Sequence, residues 1–80
     1  MKITTGDLTR ALLEDFPPAT SGMVLQWCEE GLIETWINPI GTKHFLKPQS
    51  IKAFCIDQLR LDADAIVRVG SKLGLDFNLV

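Results

Sequence analysis

Apolar residues recur along this chain at spacings that switch between helical and strand-like periods. Leu8, Ala11 and Leu12 fall at i, i+3 and i+4, and Thr4 followed by Asp7 supplies a reciprocal cap that opens a helix. Asp7 is also favoured near the positive end of the helix dipole. Pro17 cannot continue this helix and biases Phe16 towards extended backbone, so Phe16 is expected to drop into the core from the loop. Val24, Trp27 and Cys28 repeat the helical spacing behind a cap at Thr20 or Ser21, and Gly31 suits the left-handed terminating position. Leu32 and Ile33 then return the chain to the core.

"ETWI" and "KHFL" flank the turn "NPIG" and alternate as short strands, with Gly41 taking the positive φ that the connection needs. A two-stranded hairpin requires packed helices for support, and Trp36 and Phe45 are expected to anchor it. Pro48 suits the first turn of a third helix with Ile51, Phe54, Cys55 and Leu59 as its apolar stripe. Asp62 caps a fourth, carrying Ile66, Val67, Val69 and Leu73 until Gly74 stops it. The tail "LDFNLV" is apolar; it is expected to pack on its own domain, with self-association as the alternative. The pattern predicts a mainly α fold with a small β-hairpin, in the order α-α-β-β-α-α.

Length bounds this to one domain over residues 1–80, because a chain of this size buries roughly 60% of its unfolded surface. Hydrophobic residues make up 46% and charged residues 22%, an ordinary globular balance. No apolar run approaches the ~20 residues of a membrane span, and "MKITTGDLTR" lacks a signal peptide's hydrophobic region. A cytoplasmic location without membrane contact is therefore expected. Cys28 and Cys55 lie at helix-like apolar positions and are expected to be small core residues, reduced and unpaired. With His44 as the single histidine and no CxxC or HExxH pattern, neither a metal site nor a cofactor is expected. No nucleophile or carboxylate pair has a spaced partner base and no glycine-rich phosphate loop occurs, so the chain is not expected to be an enzyme.

A net charge of −2 and a pI near 5.1 give no global basic footprint. Any contact with nucleic acid must come from local segregation of cations. "NPIGTKHFLKP" provides such segregation, with Thr42, Lys43 and His44 at the hairpin tip and Lys47 and Lys52 close behind. Ser21, Gly22 and Met23 would present free backbone N–H groups at a helix start, a natural phosphate seat behind Thr20. Gln26 can make a bidentate contact to adenine, whereas the Glu29 carboxylate would repel a phosphate lattice.

With these residues in order, "TTGDLTRAL", "VLQWCEEGLI" and "GTKHFLKPQSIKAF" together resemble the winged helix-turn-helix domain of the MerR-like and excisionase-like group. The resemblance is carried by Thr4, Thr5, Asp7, Leu8, Ala11 and Leu12; by Val24, Trp27, Glu30, Gly31 and Ile33; and by Gly41, Lys43, His44, Phe45, Ile51 and Phe54. It covers residues 3–56, leaving 57–80 as a C-terminal helix and apolar tail. It implies a winged helix-turn-helix that binds DNA, with the second helix in the major groove and the hairpin as wing. The residues then expected at DNA are Thr20, Ser21, Gly22, Met23, Gln26, Thr42, Lys43, His44 and Lys47. Such a module would act as a transcriptional regulator or an excisionase-like recombination factor. Its small footprint implies a homodimer or cooperative oligomer. The alternative is a protein-interaction adaptor on the same fold, using Glu29, Glu30, Glu34 and an exposed Leu25. Arg60, Arg68 and Lys72 alternate with Asp57, Asp62 and Asp64 and predict a mixed, solvated helix surface.

Overall fold

The computed structural model describes residues 2–37 and 44–77. Among them run α1 (Thr5–Leu12), α2 (Ser21–Glu29), β1 (Thr35–Ile37), β2 (His44–Leu46), α3 (Pro48–Asp57) and α4 (Ala63–Lys72). The mainly helical class with one small antiparallel hairpin is as the apolar pattern predicts. The turn at 38–41, with Gly41, and the last three residues of the tail lie outside the described residues.

Each helix starts and stops for a readable reason. Thr4 and Asp7 form the reciprocal cap of α1: the Thr4 amide donates to Asp7 Oδ2 at 3.0 Å and the Asp7 amide to Thr4 Oγ1 at 3.2 Å. The Thr4 amide, with the Thr4 hydroxyl and the neighbouring Arg10, favours the ionised carboxylate and holds Asp7 below the usual range. Thr20 is the cap of α2 and Asp62 that of α4, while Pro48 opens α3. Helices α2 and α4 end alike. Gly31 and Gly74 take φ values of 79° and 75°, and the amides of Leu32 and Leu75 reach back to the carbonyls of Trp27 and Gly70 at 3.0 and 2.8 Å. After α3 the left-handed residue is Arg60, with φ 53° and no glycine to ease it.

The core gathers one face from each helix and from β2, with Ile33 from the loop before β1: Leu8, Leu12, Val24, Ile33, Leu46, Ile51, Cys55, Ile66 and Val69 are almost fully enclosed. Phe16 drops in from the loop as expected. Its ring lies 6.3 Å from that of Trp27, which in turn tilts against Phe54 at 4.7 Å. Leu32 and Val67, expected inside, are exposed.

The hairpin turns its other side inward. Thr35 pairs with Leu46, Trp36 with Phe45 and Ile37 with His44. Leu46 is 1% exposed, whereas Trp36 is 53% exposed and Phe45 only half-buried, outside the core cluster. The expected aromatic anchors, and the shared interior expected for Trp27 and Phe45, are thus corrected by one residue. The cause is the N-terminal segment. Ile3 lies along the free edge of β2, its carbonyl accepting the Leu46 amide at 2.8 Å, and its buried side chain makes a second apolar partner on the Leu46 face. In a strand such a choice reverses every side chain at once.

Beyond the hairpin, α4 closes the molecule. It packs against α1 and α3, and Phe77 folds back over its Gly70. Arg68 and Lys72 lie exposed, as expected from their alternation with acids, and each is also tied to an acid far along the chain. Arg68 grips Asp15 through Nη2 at 2.7 Å and Nε at 3.2 Å, and Lys72 reaches Glu14 at 2.8 Å. Both acids belong to the segment joining α1 to α2.

Candidate nucleic-acid interface

The start of α2 is built by Thr20. Its extended backbone lets Oγ1 accept the Met23 amide at 3.2 Å, and its carbonyl accepts the Val24 amide at 3.0 Å. Ser21 and Gly22 follow as exposed residues whose N–H groups helix geometry leaves without a carbonyl. Met23 is half-buried. No carboxylate occupies this first turn, so the dipole's positive end is unopposed by the helix itself. Thr20, Ser21, Gly22 and Met23 therefore form one continuous patch.

One turn on, the character changes. Gln26 is exposed, but its Nε2 donates to Glu30 Oε1 at 2.8 Å. The amide must release that carboxylate before it can address a base. Glu29 and Glu30 are exposed on the same helix, and Leu25 (39% exposed) and Leu32 (41%) flank them. The helix is thus divided into an anion-compatible start and an acidic, partly apolar end.

On the hairpin, His44 contributes its backbone to β2, and Thr42 and Lys43 lie outside the described residues. Lys47 is half-buried: its Nζ stands 5.6 Å from the centre of the Trp36 ring and 3.9 Å from Glu34 Oε2. An exposed pair at that distance holds loosely, and the ammonium remains available to a stronger anion. Across the hairpin, Lys2 Nζ stands 5.1 Å over the Phe45 ring. Lys2 and Trp36 were not among the contact residues expected from sequence. Burial of Leu46 obliges its neighbour Phe45, and the paired Trp36, to face away from the core, whereas Lys2 arrives through the Ile3 bridge and has no signal in the local pattern.

Other chemistry is scarce among the described residues. No group of three potential metal ligands occurs. Cys28 and Cys55 are free and buried; burial pushes the Cys55 thiol up to about 11, and burial with Glu29 nearby raises that of Cys28. Neither is poised as a nucleophile. A recess of about 480 Å³ is lined by Lys2, Asp7, Arg10, Lys72 and Leu73, but Arg10 is held by Asp7 at 2.6 Å and Lys72 by Glu14. Among the described residues no helix is long and apolar enough to cross a membrane. The chain matches no protein-family model, no curated protein and no solved structure.

Proposed function

We propose that this chain is a small winged helix-turn-helix DNA-binding protein, serving as a transcriptional regulator or an excisionase-like recombination factor. The observation that carries this reading is the start of α2: a Thr20-capped turn with exposed Ser21 and Gly22 amides and no carboxylate in its first turn. In a major groove this turn would hold a phosphate through backbone N–H groups, and Met23 would meet base edges. Gln26 would add adenine contact on leaving Glu30. Lys43, His44 and Thr42 of the wing, with Lys47, would hold flanking phosphate. Useful affinity from so few contacts would come from a homodimer or from cooperative loading along the duplex.

The test is retardation of duplex DNA as a function of salt. Lys43→Glu is expected to weaken binding about equally on all sequences and to lower the salt slope by about one. An unchanged slope would remove the wing from the interface, and no retardation at low salt would end the DNA reading.

The acidic end of α2 supports a second reading, a protein-interaction adaptor, because Leu25 and Leu32 are exposed along a stretch that also carries exposed Glu29, Glu30 and Glu34. There Leu25→Asp abolishes partner capture and leaves the fold intact, while duplex DNA is not retarded.

A further inference from the structure

The outward face of the hairpin joins an exposed tryptophan to two cations. Trp36 and Phe45 sit directly opposite one another across the strands, which places both rings on the side away from Leu46. Lys2 stands over Phe45 on one flank and Lys47 over Trp36 on the other. Trp36 and Lys47, with Pro48 and Gln49, also enclose an open recess of about 270 Å³. Of the charged side chains named at this face, two are ammonium groups and one, Glu34, is a carboxylate.

We infer that this face is a stacking site for an unpaired base of a DNA strand, with the Trp36 ring against the base and Lys47 and Lys2 against the adjoining phosphates. A planar aromatic held at the surface beside cations is the arrangement that binds single strands without reading their sequence, since every base offers a π face. The recess supplies the remaining walls: Pro48 gives an apolar edge and the Gln49 amide a donor and an acceptor for whichever base enters. Glu34 draws Lys47 aside only loosely at 3.9 Å, so an incoming phosphate displaces an exposed, weak pair. The choice of DNA rests on the function proposed above; the stacking geometry does not. A winged module with such a site would grip a strand where the duplex is opened, beside the groove contact made by α2.

The test is anisotropy of a labelled short oligothymidylate at low salt, with duplex retardation measured in parallel. Trp36→Ala is expected to weaken the oligothymidylate complex on the order of ten-fold, Trp36→Phe to retain most of the affinity, and Lys47→Glu to lower its salt slope. Because Trp36 is exposed, both tryptophan variants should keep the wild-type circular dichroism and melting midpoint. An abasic oligomer of equal length should bind more weakly than oligothymidylate. Equal binding of the two, an unaffected Trp36→Ala variant or tighter binding of oligouridylate would overturn the assignment. So would a dimer dissolved by Trp36→Ala, which would make a second copy the occupant. Duplex retardation without oligothymidylate binding refutes this inference alone, whereas oligothymidylate binding without duplex retardation refutes the groove reading alone.

Discussion

Gly70 shows how one residue can be held by a contact far along the chain. A glycine inside a helix costs about 1 kcal/mol relative to alanine, and α4 carries one in its buried face. A Cβ there would come within 2.7 Å of Phe77 Cγ and Cδ2 and 2.9 Å of its Cβ, atoms near the root of the side chain that cannot swing aside. Gly70→Ala is therefore expected to destabilise by about 1–3 kcal/mol despite the propensity gain. In a Phe77→Gly background, which removes all three atoms, the same change should stabilise by up to about 1 kcal/mol, a reversal of sign that urea midpoints of the four proteins would reveal. The tail's apolar character was legible in the sequence, and its expected packing on its own domain holds for Phe77. The partner was not legible, because a single glycine in a helical pattern carries no mark of what leans on it.

Among the elements, the helices were legible nearly to their ends because their caps are local chemistry. Thr4 with Asp7, Thr20, Asp62, Gly31 and Gly74 all act where the sequence alone places them. The α1 cap has a pH signature. Asp7 is held below its ordinary value of 3.8 by the Thr4 bonds, so its contribution is present above that value and is lost as pH falls through the lower, folded one. Asp7→Ala removes the titrating partner and is expected to cost about 1 kcal/mol at neutral pH and progressively less below about pH 4, as melting midpoints across that range would show. The hairpin was legible as an element and misjudged as a surface. Alternation identifies two faces without saying which is buried, and the larger rings of Trp36 and Phe45 suggested the wrong one. What decides is Ile3, a residue more than forty positions from Leu46, and no local pattern connects them. Of the candidate site, the α2 start was readable for the same reason as the caps, whereas Lys2 and Trp36 depended on that long-range pairing.

At the scale of the whole molecule, the segment between α1 and α2 is fixed from behind by α4. Arg68 lowers the Asp15 carboxyl below its usual range chiefly by hydrogen bonding, and Asp15 in turn raises the guanidinium. The expected consequence follows the same sign as for Asp7: the clamp contributes above the ordinary carboxylate value of 3.8 and is lost as acid titrates Asp15 through its lower folded value. Asp15→Asn should flatten the acid limb of the stability curve and leave a neutral-pH protein more easily opened between α1 and α2, measurable as faster amide exchange in residues 13–20. The clamp joins acids and bases more than fifty residues apart, which is why charge alternation along α4 alone suggested only a hydrated surface.

The strand-like contact of Ile3 bears on how the protein should be handled. With its carbonyl on the Leu46 amide, Ile3 covers that stretch of the outer edge of β2. A shortened version that begins after Ile3 would strip this selvage and offer neighbouring molecules a seam along which to knit, so cloudiness on concentration would trace to trimming at the front of the chain.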